Sequence, residues 1–284
     1  MIYKKKNNSI PSLYLIWDFD AAIGQINSTY PYNYHEELLY KEIENVETIL
    51  KYVYDHKLPM IFAITGFAAE RGVFPFHIRD LIRKIHFDGH EIASHSWKHE
   101  WLPFLELEQL RKSLKRSKMI LEDCIGEKDI IRGFVPPFSR PMSWLRKGAY
   151  SFGDKALGPN FECNDIQKII PIAKNLGYNW MRVTYRTLFE KITKLDKPRS
   201  LKREWYNEGG LICVPNNYVG FDNKAIDIIN LGIKNQRDII ISGHPSGLSR
   251  KGSEKLRNFK SLIDFVIEKR DEKKIEIRLL KDVK

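Results

Sequence analysis

Residues 60–95 read MIFAITGFAAERGVFPFHIRDLIRKIHFDGHEIASH and contain two short, mainly apolar runs separated by a segment with helical periodicity. The runs at 60–64 and 91–94 have the length of buried strands, and residues 77–86 carry apolar side chains at a helical period. Two strands joined by a helix run parallel within one sheet. This stretch therefore predicts a strand–helix–strand unit of a parallel α/β protein.

The same alternation continues in both directions from this unit. Further strands are predicted at 13–18, 133–135, 180–183, 211–214, 239–243 and 275–280, and further helices at 35–56, 105–124, 166–176, 224–234 and 253–269. About eight strands without a linker-like segment or a repeat predict one closed (β/α) barrel domain over residues 1–284. An open doubly wound sheet is the alternative. Residues 140–165 lack periodicity, which predicts an irregular insertion that contacts substrate.

The composition is that of a globular protein, with 43% hydrophobic and 29% charged residues. The three cysteines are scattered and form no CxxC pair, and the apolar run near the start is too short for a signal peptide or a membrane span. We therefore expect a cytoplasmic protein with reduced thiols and no transmembrane segment. The net charge of +11 favours an anionic substrate, but the lysines are spread out and form no arginine stripe, so we expect no nucleic-acid partner.

Polar residues cluster where the predicted strands end. Asp18 and Asp20 close the first strand, His95 and His99 follow the strand at 91–94, and His244 follows IIISG. A parallel barrel gathers the carboxyl ends of its strands on one rim, where the active site lies. The sequence therefore predicts that these side chains meet.

The segment HSWKH, residues 95–99, allows two imidazoles to bind one metal ion. Two histidines and one carboxylate form a common site for zinc and other divalent cations, whereas two unrelated surface histidines are the alternative interpretation. Asp18 and Asp20 lie on the same side of an extended strand. If one binds the metal, the other is available as a general base.

A resemblance to a known family rests on several motifs in order. The segment DGHEIASHSWKH after MIFAITG resembles the second motif of the polysaccharide deacetylase (NodB-homology) family, also called carbohydrate esterase family four. DFDA resembles its first motif in an Asp-x-Asp form, VPPF its third, GYNWMRV its fourth and IIISGHP its last. The resemblance implies the distorted (β/α) barrel of that family.

The resemblance also implies roles for individual residues. Asp20, His95 and His99 would hold one divalent metal, with zinc expected, and Asp18 would be the general base. His244 would protonate the leaving amine, and Ser96 would support the metal loop by hydrogen bonding. The third motif of the family carries an arginine that orients the base, but Val135 stands there in this chain. Candidates for a replacement are Arg71, Arg132, Arg140 and Arg182, of which Arg182 is preferred.

Two aromatic residues have two interpretations. Phe138 and Trp180 could form the acyl pocket, or they could be ordinary core residues.

The expected activity is removal of acetyl, or of another acyl group, from an amino sugar or a glycan precursor, with a role in capsule or lipopolysaccharide biosynthesis. The expected substrate is nucleotide- or lipid-linked. Hydrolysis of a non-sugar C–N bond and a non-catalytic glycan-binding role are the alternatives. The sequence gives no heptad or apolar stripe that predicts an oligomer.

Overall fold

The fold is known from a computed structural model that describes residues 10–28, 35–102, 105–139, 166–183, 201, 204–249 and 253–283. The described helices are α1 (Ala21–Ser28), α2 (Glu37–Tyr54), α3 (Arg79–Phe87), α4 (Leu107–Ile125), α5 (Ile166–Asn175), α6 (Asn223–Lys234) and α7 (Ser253–Asp271). The described strands are β1 (Ser12–Phe19), β2 (Ile61–Ile64), β3 (Glu91–Ser94), β4 (Gly133–Phe134), β5 (Trp180–Arg182), β6 (Tyr206–Glu208), β7 (Leu211–Val214), β8 (Tyr218–Val219), β9 (Ile239–Gly243) and β10 (Glu276–Ile277).

The strands form one curled sheet in the order β6-β7-β5-β4-β3-β2-β1-β9-β8, with β10 added beside the start of β1. All neighbouring pairs are parallel except β6 with β7. The predicted α/β class is confirmed, and the sheet is a half-barrel.

The predicted distorted (β/α) barrel is confirmed, although its described strands do not form a continuous hydrogen-bonded ring. β7 pairs with β5 and β6, whereas the two-residue β8 pairs with β9. The gap is bridged by residues 215–217: the Asn217 backbone N–H donates to the Ile240 carbonyl at 3.0 Å, and the Ile240 N–H donates to Asn217 Oδ1 at 2.7 Å. β7 and β8 are therefore connected by a short chain segment and not by strand pairing.

Alternate side chains of the strands face two different cores. Leu13, Leu15 and Trp17 of β1 pack outward against the helices, in the larger apolar cluster. Tyr14 and Ile16 of the same strand point into the barrel, because successive side chains of a strand point to opposite faces. The inward-facing cluster also contains Ile61, Ala63, Ala93, Val135, Trp180, Trp205, Ile212, Val214, Ile240, Leu279 and Leu280.

The inward rows end in polar residues at the carboxyl ends of the strands. Continuing each inward row by two residues reaches Asp18 after Ile16, His95 after Ala93, and Arg182 after Trp180, and two further residues along the first row reach Asp20. The alternation that builds the apolar interior thus delivers these side chains to one rim. The rim is where the sequence predicted the active site.

Most predicted elements lie within two residues of the observed ones, and β3, β7 and β9 have the predicted bounds. The exceptions are α1, β6 and β8, which the sequence analysis did not predict, and the last strand, which spans only Glu276–Ile277. The predicted insertion at 140–165 lies outside the described residues. Among the described helices, none is both long and apolar enough to span a membrane.

Candidate metal centre and active site

Asp20, His95 and His99 converge at the carboxyl ends of β1 and β3. One potential ligand atom from each lies within 4.8 Å of the other two. Asp20 Oδ1 is 3.3 Å from His95 Nε2 and 3.4 Å from His99 Nε2, and all three residues are buried. The geometry gathers one carboxylate and two imidazoles around a point.

Hydrogen bonds on the far side of each imidazole determine which nitrogen faces that point. His95 Nδ1 lies 2.6 Å from the Val135 carbonyl, an acceptor, so Nδ1 must carry the proton. His99 Nδ1 lies 3.2 Å from Ser28 Oγ, which donates its own proton to the Gly24 carbonyl at 2.7 Å and therefore accepts from the imidazole. Both Nε2 atoms then present a lone pair to Asp20, which is the arrangement a metal ion requires.

Two of the converging atoms have no hydrogen-bond partner. Asp20 Oδ1 and His95 Nε2 are fully buried and unpaired among the described atoms. Leaving a buried polar atom unpaired costs about 1–3 kcal/mol, and native proteins rarely do so without a reason. A cation bound between them would satisfy both atoms, so the residues fit a divalent metal.

The charge states of these residues agree with metal binding. Burial alone would raise the pKa of Asp20, but the adjacent His99 and His95 outweigh it, and the pKa of that carboxyl lies below its usual range. Burial lowers the pKa of His99 to about 4, although Asp20 acts in the opposite direction. At neutral pH the site therefore offers a carboxylate and a neutral His99, the states that bind a metal.

The loop that carries both histidines is braced by Glu100. Ser96 Oγ donates to Glu100 Oε2 at 2.6 Å, the Lys98 backbone N–H donates to the same oxygen at 3.0 Å, and Ser113 Oγ of α4 donates to Oε1 at 3.0 Å. Ser96 thus makes the kind of supporting contact predicted for it. Glu100 and Ser113 are members of this network that the sequence analysis did not identify.

The backbone at the rim adopts an uncommon conformation at several non-glycine residues. Ala21, Ser96, His99 and Phe138 have φ values of 55°, 61°, 60° and 57°. Left-handed backbone at residues with a Cβ costs on the order of 1 kcal/mol or more and clusters at functional sites, where surrounding contacts enforce it. Two of these four residues are His99, which is a metal-ligand candidate, and Phe138, whose ring packs on His99.

Asp18 is held by Arg182 in a two-point ion pair. Arg182 Nη1 donates to Asp18 Oδ1 at 2.7 Å and Nη2 donates to Oδ2 at 2.5 Å, and both side chains are buried. Burial alone would raise the pKa of Asp18, but the Arg182 guanidinium outweighs it and lowers the pKa. The structure therefore places against Asp18 the arginine that the sequence analysis preferred, on the strand next to the one that ends before Val135.

His244 completes the cluster from β9. Its Nε2 lies 3.9 Å from Asp18 Oδ2, and its side chain is 43% exposed while Asp18 is buried. His244 can therefore contact a molecule that enters from solvent, and it faces the same carboxylate as Arg182.

Residues 33–156 match the model of the polysaccharide deacetylase family. The match includes His95, His99 and Phe138, whereas Asp18, Asp20, Arg182 and His244 lie outside it. No curated protein matches the chain in sequence.

Solved structures with the same fold include a candidate polysaccharide deacetylase of Mycobacterium smegmatis (TM-score 0.69, 16% identity, 99% of this chain and 91% of that one). Another is Puue allantoinase (TM-score 0.61, 15% identity, covering 98% of this chain and 90% of that one). A third is a mutant, with restored activity, of BA3943, which is a carbohydrate esterase family four pseudoenzyme of Bacillus anthracis (TM-score 0.52, 12% identity, covering 97% of this chain and 68% of that one). At these identities the likeness is one of fold. Together with the family match, it supports the polysaccharide deacetylase family.

Phe138, in the segment that resembles the third polysaccharide deacetylase motif, packs on the loop that carries His95 and His99. Its ring centroid is 4.5 Å from that of His99 and 4.6 Å from that of Trp101, and the residue is partly exposed. A partly exposed ring beside a ligand candidate is compatible with the predicted acyl pocket.

Trp180, in the segment that resembles the fourth motif, lies deeper in the barrel. It is buried in the interior cluster, and its Nε1 donates to Glu91 Oε1 at 2.8 Å, at the start of β3. These contacts favour the core interpretation of Trp180 over the acyl-pocket interpretation.

The suggestion that Arg132 orients the base is wrong. Arg132 precedes β4 at the opposite end of the strand, is exposed, and donates from Nε to the Asp129 carbonyl at 3.3 Å. Arg140, the other candidate near the third motif, lies outside the described residues.

Two contacts at the site had no sequence signal. Ser28 belongs to α1, whose sequence AAIGQINS has no clear helical pattern, and the Val135 contact is made by a backbone carbonyl that any residue could supply.

Proposed function

We propose that this protein is a metal-dependent N-deacetylase that hydrolyses the N-acetyl amide of an amino sugar or glycan precursor. The proposal rests on one observation: buried Asp20, His95 and His99 gather one ligand atom each around one point, two of these atoms have no hydrogen-bond partner among the described residues, and the adjacent Asp18 carboxylate is held by Arg182. A metal ligand set and a separate charged base are the two parts that amide hydrolysis at a metal requires. The family match supports the same reaction.

Asp20, His95 and His99 would hold the metal, with zinc proposed because zinc accepts two histidines and one carboxylate while leaving positions open. When bound, a zinc ion polarises a carbonyl group and acidifies water. The far-side hydrogen bonds to the Val135 carbonyl and to Ser28 keep both imidazoles in the required tautomer.

Asp18 acts as the general base in this proposal. Because Arg182 lowers its pKa, Asp18 is deprotonated at neutral pH and can accept a proton from water as the water oxygen attacks the acyl carbon. Arg182 also fixes the orientation of the carboxylate through two hydrogen bonds. Arg182 is thus a positioning residue for Asp18.

His244 acts as the general acid. As the C–N bond breaks, the nitrogen must gain a proton to leave as an amine, and His244 is the exposed group on the solvent side of Asp18. The acetyl group, now bonded to the oxygen of the attacking water, leaves as acetate. Positioned acids and bases of this kind each contribute roughly 10²–10⁴-fold to the rate.

We further propose that the substrate carries an anionic group, as a nucleotide- or lipid-linked sugar does. Lys98 lies between the two histidine ligands, and its Nζ is 4.2 Å from the Trp97 ring centroid and 4.9 Å from that of Phe67. The nearby carboxylates have other partners: Glu70 forms an ion pair with Arg116, and Glu100 accepts a hydrogen bond from Ser96. No described carboxylate forms an ion pair with the Lys98 ammonium, so it can attract a phosphate.

The proposed setting is capsule or lipopolysaccharide precursor synthesis in the cytoplasm. Cys124 and Cys213 are free and buried, which is compatible with a reducing compartment.

A second candidate function is hydrolysis of a C–N bond in a small non-sugar metabolite. It is favoured by the fold shared with Puue allantoinase over almost the whole of both chains. A non-catalytic glycan-binding role is a third candidate, since a pseudoenzyme also shares the fold. These two candidates rest on a shared fold alone, whereas the proposed metal site and general base can be tested directly by experiment.

The test combines metal content with acetate release. Purified protein reconstituted with zinc is expected to hold about one equivalent, and His95→Ala and His99→Ala are expected to lose it. His86→Ala is the matched control, because His86 lies near the end of α3 and pairs with Glu127, which follows α4. Acetate release from UDP-N-acetylglucosamine, N-acetylglucosamine and chitooligosaccharides is then measured beside ring-opening of allantoin.

Each outcome has a defined meaning. Metal binding together with acetate release supports the deacetylase. Metal binding together with ring-opening of allantoin, but without acetate release, supports the second candidate instead. Protein that binds no zinc, cobalt or nickel would overturn the metal-dependent reaction. Replacing Lys98 by methionine is expected to lower kcat/KM about 10-fold for the nucleotide-linked sugar but not for N-acetylglucosamine, and equal losses on both would contradict the anionic substrate.

A further inference from the structure

α1 lies directly against two of the three metal-ligand candidates. A Cβ at Gly24 would be 2.7 Å from Asp20 Cβ and 3.3 Å from His99 Cβ, so only glycine allows the helix to approach this closely. The same helix turn begins at the Asp20 carbonyl, which accepts from the Gly24 N–H at 3.1 Å. α1 therefore packs on the carboxylate and on one imidazole at once.

Two further residues of α1 hold the histidine loop. Asn27 Nδ2 donates to the Lys98 carbonyl at 2.5 Å, and Ser28 Oγ lies 3.2 Å from His99 Nδ1. These contacts are separate from those of Glu100, which braces the loop through Ser96.

The helix is itself fixed to its neighbour. Gln25 Nε2 donates to Glu42 Oε2 of α2 at 2.9 Å, and both residues are buried. α1 is therefore anchored to α2 on one side and contacts the metal ligands on the other, so its position is transmitted to Asp20 and His99.

We propose that Ser28 is a positioning residue that sets the tautomer of His99 and thereby the metal affinity of the site. The Ser28 hydroxyl donates to the Gly24 carbonyl, so its oxygen can only accept from His99, and the His99 proton is confined to Nδ1. Without this acceptor, the neutral imidazole can also place its proton on Nε2, where it blocks metal binding. The metal-affinity part of this proposal rests on the proposed function, whereas the tautomer part does not.

The chain offers a matched control for removing the hydroxyl. Thr48 Oγ1 donates to the Glu44 carbonyl at 2.9 Å, the same four-residue backward bond that Ser28 makes, but on the exposed face of α2 and without a histidine. Ser28→Ala and Thr48→Ala therefore remove the same helix contact, and only the first removes an imidazole partner. Ser28→Thr retains the hydroxyl.

The first measurement is zinc affinity by competition with a chromophoric chelator. Ser28→Ala is expected to bind zinc about 10–100-fold more weakly than wild type, the usual effect of removing a partner behind a ligating histidine. Thr48→Ala is expected to match wild type, and Ser28→Thr is expected to recover most of the affinity. Equal affinity of Ser28→Ala and wild type would overturn the role in metal binding.

The second measurement needs no metal. The ¹⁵N chemical shifts of His99 in the metal-free protein at neutral pH report which nitrogen carries the proton. Wild type and Ser28→Thr are expected to show the proton on Nδ1, and Ser28→Ala a mixture of both tautomers. A wild-type His99 protonated on Nε2 would refute the positioning role, whereas wild-type protein that binds no zinc but keeps the Nδ1 tautomer would refute only the proposed function.

Discussion

Two buried carboxylates lie at opposite ends of the same barrel interior. Asp18 is at the carboxyl end of β1 and Glu91 is at the amino end of β3, and both are almost wholly buried. Burial raises the pKa of each, yet the pKa of Asp18 ends below its usual value while that of Glu91 rises to about 7. The difference lies in the partners.

Asp18 faces a guanidinium, and Glu91 faces neutral donors. Glu91 accepts from the Trp180 indole N–H at 2.8 Å and from the Lys281 backbone N–H at 3.0 Å, and these bonds together with the Lys281 charge do not offset its burial. The guanidinium against Asp18 thus keeps that carboxylate ionised at neutral pH, whereas Glu91, without such a partner, is partly protonated there. Burial by itself therefore does not distinguish a catalytic carboxylate from a structural one.

The largest expected effect separates the two carboxylates by activity. Asp18→Asn is expected to lower kcat by about 10²–10⁴-fold, because the variant has no base to accept the proton of water. Glu91→Gln is the control, since glutamine retains an oxygen that accepts from the Trp180 indole. Steady-state kinetics on the substrate found by the acetate assay would measure both, and a comparable loss in Glu91→Gln would contradict the distinction.

The next effect removes the cation from Asp18. In Arg182→Gln the pKa of Asp18 is expected to rise, so the acid limb of the kcat/KM profile moves to higher pH. The variant is also expected to be destabilised by about 3–5 kcal/mol, since an unpaired charge remains buried. The double variant Asp18→Asn/Arg182→Gln is expected to recover part of that stability in denaturant unfolding. An unchanged acid limb would show that Arg182 does not control the charge of Asp18.

The smallest effect concerns the stability at the Glu91 end. Because the folded state raises the pKa of Glu91 from 4.5 to about 7, folding favours its protonated form. The stability contributed by that proton is fully present below pH ~4.5 and is lost as pH rises through about 7, roughly 3 kcal/mol in total. Glu91→Gln is expected to remove this part of the decrease in the free energy of unfolding with rising pH. Urea unfolding of both proteins between pH 5 and 8 would measure it, and parallel curves would refute the assignment.

The sequence predicted the parts of the site that follow from strand alternation. Asp18, Asp20, His95 and Arg182 are inward-facing residues at strand ends, and hydrophobic patterning locates such positions. It preferred Arg182 among four candidate arginines but could not decide between them, because the answer depends on which strand end faces Asp18 across the barrel. The catalytic and metal-binding roles themselves stay predictions.

The parts that the sequence did not predict depend on contacts between distant segments. α1 has a glycine in its middle and no apolar stripe, so local propensity gives it little support, and its packing on Asp20 and His99 is what stabilises it. The gap between β7 and β8 was also missed. A three-residue connection at 215–217 bridges it, and its contact with Ile240 is made by an asparagine side chain, which no hydrophobic period reports.

The position of β1 between β2 and β9 has a consequence for how the chain acquires its fold during synthesis. Asp18 lies in β1 and Asp20 directly follows it, but one of the two strands that flank β1 is β9, so residues 13–17 pair with residues 239–243. Such a pairing closes a loop of more than two hundred residues, and high contact order slows folding. Until β9 has left the ribosome, β1 has an exposed edge and His244 is absent. A nascent chain that ends before this strand is thus expected to depend on chaperones and to lack His244, the proposed general acid.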